Sequence, residues 1–152
     1  MKTITQAVVL LLLVTTTNIG FAQQKTDANS KEIFANFSGK VDFSKSILQT
    51  TIAAKSGESI SIPFNNDFIF NGIVLTNEYK YKNLQTIIIK SALLKNALLQ
   101  LSKITNEDLT ESYVGRIINT DANDGYTIEK DEANNYKIEK IEMKNILQDC
   151  SF

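Results

Sequence analysis

The sequence predicts a single α+β domain that is mainly β, with a curled antiparallel sheet of six or seven strands and one packed helix. Residues 58–91 hold the clearest polar–apolar alternation of the chain and its densest group of β-branched and aromatic side chains. Residues 112–139 repeat the pattern in three short segments. Only the stretch after Asp42 places apolar residues at helical spacing before a glycine. Both an open, barrel-like sheet and a sandwich fit these patterns.

The N-terminus has the parts of a secretory signal peptide, which we expect to span residues 1–22. Lys2 gives a positive start, residues 7–14 form a short apolar core, and a small-x-small ending precedes Gln23. The apolar core is well short of the ~20 residues that a membrane-spanning helix needs. We therefore expect cleavage after Ala22 instead of a retained anchor, and a secreted or periplasmic chain without a transmembrane segment.

Residues 23–31 are polar and lack an apolar period, so we expect a disordered leader there. Residues 32–152 should form one domain, because the six glycines and single proline of the chain mark no linker. Cys150 is the only cysteine. It cannot form an internal disulfide, so the domain depends on its core alone unless Cys150 pairs with another chain.

The charge balance argues against nucleic acid as a partner. The formal net charge is −1 at pH 7, the lysines are scattered, and Arg116 is the only arginine. Binding to nucleic acid needs clustered basic residues that displace counterions from phosphates.

The first elements of the domain are predicted from short-range patterns. Residues 33–38 indicate a short strand or the first inward contacts of the chain. A helix should follow over residues 42–54, with Asp42 as its N-cap and Gly57 as its stop. Its apolar residues recur at helical spacing: Phe43, Ile47, Leu48 and Ile52. We expect this face to pack on the sheet.

Three strands are predicted over residues 59–64, 67–75 and 84–90. The second is apolar on both faces, which suits a central strand covered on both sides. The polar and aromatic residues 76–83 would extend the flanking strands into a long hairpin. Residues 91–105 fit either a helix or a strand, and we favour a strand that pairs with 84–90.

A meander of three strands should follow over residues 113–118, 125–129 and 136–139. Pairing aromatic with β-branched residues predicts that Tyr126 faces Ile138 and Ile128 faces Tyr136. The other face of these strands is polar and should be solvated. Residues 142–148 predict a short terminal helix.

The sequence contains no histidine, which excludes Ser-His-Asp catalysis and imidazole ligation of zinc. Cys150 lies beside Asp149, which would raise a thiol pKa, so a nucleophilic cysteine is not expected. Residues 121–125 resemble a calcium loop, but their glycine falls at the wrong position for an EF-hand. We interpret Asp124 and Gly125 as a turn in which the glycine supplies a positive φ. No catalytic residue, metal or cofactor is predicted.

Four residues are candidates for ligand binding. Tyr79, Tyr81 and Lys82 would form an aromatic and basic lip, unless they are an exposed strand pair with both tyrosines packed on one face. Arg116 shares a strand face with apolar neighbours, from which it could bind a carboxylate bidentately. The alternative for Arg116 is an internal ion pair, or a head group that extends to solvent.

Three segments together resemble small, uncharacterised secreted proteins of Gram-negative bacteria. They are the signal ending Phe21-Ala22 followed by two glutamines, the strand Phe68-x-Phe70-x-Gly72-x-Val74, and the strand Tyr113-x-Gly115-Arg116-Ile117-Ile118. The resemblance implies an exported, antiparallel β-rich domain with a helix, and it supplies no catalytic residue.

The leading hypothesis for function is an exported, non-enzymatic binding or interaction module of the cell envelope. Its partner would be an envelope or extracellular protein, or a small ligand. One alternative is a histidine-free hydrolase that uses a pair of carboxylates, as glycosidases do. Another is an inhibitor of a secreted enzyme that presents residues 79–83 to its target.

Overall fold

The computed structural model describes residues 32–131, 133 and 135–143. In this part of the chain one antiparallel sheet of eight strands curls into a half-barrel around a single helix. The mainly β class and the curled sheet with one packed helix are confirmed, but the predicted six or seven strands were too few. The first and second strands lie at opposite ends of the strand order, so the sheet stays open.

The chain order explains how the helix comes to lie inside the half-barrel. The elements are β1 (Lys40–Phe43), α1 (Lys45–Ala53), β2 (Ser59–Pro63), β3 (Ile69–Tyr81), β4 (Leu84–Ser91), β5 (Ala97–Thr105), β6 (Glu111–Asn119), β7 (Asp124–Lys130) and β8 (Tyr136–Glu142). The strand order is β1-β8-β7-β6-β5-β4-β3-β2. Strands β2 to β8 therefore form a meander, and α1 carries the chain across the concave face from one sheet edge to the other.

The helix begins two residues later than predicted, and the residues before it form the eighth strand. Ser44 is the N-cap, and its hydroxyl accepts a hydrogen bond from the N–H of Ser46 at 3.3 Å. Asp42, the predicted cap, lies in β1 opposite Lys137. Both residues are good caps, and pairing of β1 with distant β8 decides between them.

The end of α1 is fixed by amides that reach it from the sheet. The Asn77 side chain donates to the carbonyls of Ile52 and Ala54 at 2.8 and 2.7 Å. The amide of Gln85 donates to Ile52 and to the Asn77 oxygen at 3.2 and 2.9 Å. These bonds satisfy carbonyls that a helix C-terminus leaves unpaired. Gly57, the predicted stop, has a φ of 86° in the connection to β2.

The long hairpin and the strand in residues 91–105 are confirmed as β3–β4 and β5. The expectation that residues 68–75 are covered on both faces is wrong. Ile69, Ile73 and Leu75 are 45%, 48% and 48% exposed on the convex face, because the helix covers only the concave one. Residues 33–38 form bends and a turn and no strand, although Phe34 among them is fully buried.

The predicted register of the last two strands is wrong by two residues. Ile128 faces Ile138, whereas Tyr126 faces Lys140 and Tyr136 faces Lys130. A shift of two positions keeps each side chain on its face, so these two tyrosines and two isoleucines are buried as expected. The pairing continues to Lys130 because the Asp131 N–H closes a tighter loop on the Asn135 carbonyl at 2.8 Å.

Asp124 fastens the beginning of the domain to the sheet. Its two carboxylate oxygens accept the N–H groups of Ile33 and Phe34, each at 2.9 Å. Phe34 then packs edge-on against Tyr126, with ring centroids 5.3 Å apart. The carboxylate is therefore committed to a structural role.

The predicted turn at Asp124 and Gly125 is wrong, since both residues begin β7. Gly125 is not among the positive-φ residues of the described chain. A Cβ at this position would lie 2.7 Å from the Ile117 carbonyl oxygen, so the glycine permits close approach of β6.

Several sequence predictions lie outside the described residues: the signal peptide 1–22, the leader 23–31, the pairing of Cys150 and most of the terminal helix 142–148. Glu142, the first residue of that helix prediction, ends β8. Among the described residues no helix has the length and apolar character that crossing a membrane requires.

Candidate functional site

The residues of the predicted lip do not form one surface. Tyr79 and Tyr81 are 66% and 71% exposed near the tip of the β3–β4 hairpin, followed by exposed Lys82. Tyr79 pairs with Gln85 and Tyr81 with Leu84, across a β-bulge. Since neighbours on β4 point to opposite faces, so do the two tyrosines. The alternative interpretation, an exposed strand pair, placed both tyrosines on one face, and that placement is wrong.

Arg116 lies on the convex face in the middle of β6, as does half-exposed Val114. Its Nε and Nη2 groups donate to the Gln100 amide oxygen at 3.2 and 3.1 Å. The surface beside it is a shallow depression of about 200 Å³. Two strands separate β6 from the tyrosines on β3, so the four candidate residues do not converge.

A larger concave feature lies between α1 and the edge strand β2, where sequence reasoning placed no site. It is a groove of about 410 Å³. The helix contributes side chains about one turn apart, among them Ser46, Ile47, Thr50 and Ala53. The strand contributes Ile60, Ser61, Ile62 and Pro63. We call it the α1–β2 groove. Its lining is apolar with hydroxyl groups.

The rim of the groove is a row of β2 backbone groups that have no partner among the residues that the structure describes. The Val74 N–H donates to the Glu58 carbonyl at 2.9 Å, and the Phe64 N–H donates to the Phe68 carbonyl at 3.0 Å. In an antiparallel ladder the hydrogen-bonded positions alternate. Residues 58, 60, 62 and 64 therefore bond to β3, while Ser59, Ser61 and Pro63 direct their backbone groups away from the sheet. No other hydrogen bond in the described chain reaches the N–H of Ser59 or Ser61.

The two edges of the sheet differ in charge. Edge strand β1 carries Lys40 and Asp42, which are 4.0 Å apart and exposed, and charged residues of this kind discourage pairing with another chain. Edge strand β2 has the sequence Ser-Ile-Ser-Ile-Pro and no charge. Proline at its end removes one donor, but the rest of the edge is unprotected. The open edge and the groove thus coincide.

The groove has little acid–base chemistry. The one charged side chain in its lining is Glu58, whose Oε2 accepts the Lys55 N–H at 2.8 Å. A second carboxylate, which glycoside hydrolysis needs, is not part of this lining. Among the described residues no group of three potential metal ligands occurs either.

Several of the shifted pKa values belong to buried tyrosines and to the carboxylate that one of them contacts. The Tyr113 hydroxyl donates to Glu111 at 2.9 Å, and this bond lowers the pKa of Glu111, with help from Lys103. Burial raises the pKa of Tyr113 and, to about 12, that of Tyr126. The Tyr113 N–H donates to the Tyr136 hydroxyl at 3.1 Å. Tyr113 thus links Glu111 with Tyr136, and none of these residues lines the groove.

One feature of the sequence, its single proline, indicates that the strand beside the groove is an edge strand. A proline inside a strand pattern is confined to an edge or a bulge, and Pro63 ends the alternating segment that became β2. The position of α1 beside that edge depends on the fold of the whole chain.

No family model matches the sequence, and neither a curated protein nor a solved structure is significantly similar to it.

Proposed function

We propose that this protein is an exported, non-enzymatic binding module of the cell envelope and that the α1–β2 groove is its ligand site. Export is inferred from the signal-peptide pattern of residues 1–22. The observation that carries the binding site is the coincidence of a concave groove, lined by both apolar and hydroxyl side chains, with an uncharged sheet edge. Concave apolar surfaces with a few polar groups are the usual ligand sites of proteins.

The composition of the groove favours binding over hydrolysis. Its polar groups are hydroxyls, backbone amides and one carboxylate that already accepts a backbone hydrogen bond. These groups can orient a ligand by hydrogen bonding. A hydrolase of the carboxylate class would need a second acid within about 5–9.5 Å to act as its partner.

The test uses a pair of variants on the exposed surface of α1. Thr50→Trp puts a large ring into the groove, whereas Gln49→Trp adds the same ring at an exposed position that does not line it. Each protein carries an affinity tag and is incubated with envelope extract, and captured proteins and small molecules are identified by mass spectrometry. We expect capture by wild type and Gln49→Trp to be equal, and capture by Thr50→Trp to be lost.

Equal capture by both variants would contradict the assignment of the groove. The inhibitor hypothesis has its own arm in the same experiment. A variant with Tyr79, Tyr81 and Lys82 changed to alanine removes the exposed side chains of the hairpin tip. If that variant loses capture of an enzyme while Thr50→Trp keeps it, the functional surface is the hairpin and not the groove.

A further inference from the structure

We propose that the ligand of the α1–β2 groove is an extended polypeptide segment of a partner protein, which adds to β2 as a ninth strand. This inference rests on the proposed function, because it names the class of ligand for the same groove. Addition of a strand to an exposed sheet edge is a recurrent mode of peptide recognition, in which backbone bonds give affinity and side-chain pockets give specificity.

The backbone pattern of β2 selects an extended chain. Ser59 and Ser61 each direct an N–H and a carbonyl outward, and Pro63 directs a carbonyl alone. Groups at alternate residues of a strand recur about every 6.6–6.8 Å. A polypeptide in the β conformation presents complementary donors and acceptors at that same spacing. A compact small ligand can satisfy one of these positions but not the whole row.

The side chains of such a segment would alternate between the groove and the convex face. Residues opposite Ile60 and Ile62 would point toward α1, where Ile47 and Thr50 form the opposite wall. A volume of about 410 Å³ lies within the usual range of ligand pockets and leaves room for side chains of an added strand. The lining includes the carboxylate of Glu58 and no basic residue, which disfavours acidic segments, nucleotides and phosphates.

The geometry of β2 favours a foreign strand over a second copy of this chain. In a two-fold antiparallel pair centred on Ser61, Ser59 of one copy would face Pro63 of the other. Proline has no N–H, so each copy would leave one carbonyl at the interface without its donor. A partner segment without proline at that position satisfies every outward group of β2.

The probe is a library of random linear peptides about a dozen residues long, displayed on phage and selected on the immobilised chain 23–152. Peptides that bind wild type are then synthesised, and their affinity is measured by isothermal calorimetry. Ser61→Pro removes an outward N–H and leaves pairing with β3 intact, because Ser61 does not bond to β3. Asp42→Pro is the matched change on the other edge.

We expect selected peptides to bind Ser61→Pro about tenfold more weakly or worse, and to bind Asp42→Pro as wild type does. A second measurement leaves the protein untouched and so does not depend on its tolerance of proline. N-methylation of every second peptide residue blocks the donors on one edge of the bound strand. The peptide has two alternating sets of residues. Methylation of the set whose N–H groups face β2 should abolish binding, and methylation of the other set should preserve it.

The outcomes separate this inference from the proposed function. Binding could be lost in Thr50→Trp but unaffected by Ser61→Pro and by methylation of either alternating set of peptide residues. That result would overturn strand addition and leave the groove as the site. Binding retained by Thr50→Trp would overturn both. Failure to select any peptide would overturn the inference. A concentration-dependent dimer that Ser61→Pro abolishes would assign the edge to a second copy, which also contradicts it.

Discussion

Asp124 shows at the scale of a single residue how the sequence closes one end of the domain. Its carboxylate is 3% exposed and accepts two backbone N–H groups from Ile33 and Phe34. Lys140 places its ammonium 3.7 Å from one of the oxygens. The carboxylate therefore satisfies two backbone N–H groups that the N-terminal segment would otherwise bury without hydrogen-bond partners.

We predict that Asp124→Ala lowers the free energy of unfolding by about 2–4 kcal/mol, because it leaves these N–H groups unsatisfied. Asp124→Asn keeps one acceptor oxygen and should cost about half as much. The control is Asp67→Ala, which removes an exposed carboxylate and should change stability by less than about 0.5 kcal/mol. Urea denaturation measures all three. Equal effects of Asp67→Ala and Asp124→Ala would contradict the structural role.

Titration of the Tyr126 hydroxyl should make the stability of the protein depend on pH in the alkaline range. Its hydroxyl donates to the Ser38 carbonyl at 2.8 Å, and burial, reinforced by the negative charge of Asp124, raises its pKa to about 12. The folded state thus holds this proton more tightly than the unfolded state, whose tyrosine pKa is about 10. The contribution of Tyr126 to stability is complete below about pH 10 and is lost as the pH rises toward 12.

Tyr126→Phe removes the titrating group and the hydrogen bond together. At neutral pH the variant should be less stable by about 0.5–1.5 kcal/mol. Between about pH 10 and 12 its free energy of unfolding should fall less steeply than that of wild type, as urea titrations at successive pH values would show. Parallel pH profiles for the two proteins would refute the assignment.

At the scale of elements, the position of α1 depends on Asn77 in β3. One side-chain amide donates to two carbonyls at the end of the helix, 2.8 and 2.7 Å away. We predict that Asn77→Ala destabilises the protein by about 1–3 kcal/mol and speeds amide exchange in α1 more than in β5 to β8. Glu78→Ala, the neighbouring exposed position, serves as the control. Uniform acceleration across the sheet would show that Asn77 does not act on the helix in particular.

The elements that the sequence predicted well are those whose pattern is local. Alternation predicted β2, β3, β4 and the three strands of the meander, and the face of Tyr126 and Tyr136 was correct despite a register error of two positions. β1 was missed because its alternation extends over only four residues, and the strand forms by pairing with β8. The bulge at Lys80, which separates Tyr79 from Tyr81, also has no local signature.

At the scale of the whole molecule, the candidate site exists because α1 crosses the half-barrel. The chain leaves the sheet at β1 and re-enters it at the opposite edge as β2, so the helix ends beside an edge strand. The N-terminal residues Ile33 to Phe37 fill the core elsewhere and leave that side of the helix open. Composition and spacing could identify β2 as a strand, but its neighbour depends on the complete strand order.

The central claim is that β2 presents unpaired backbone groups beside the α1–β2 groove, and amide hydrogen exchange resolved by NMR tests it without a ligand. Ser59 and Ser61 should exchange rapidly, whereas Ile60 and Ile62, which bond to β3, should exchange slowly. Strong protection of Ser61, equal to that of Ile62, would contradict the claim, because it would mean that the edge of β2 is already paired.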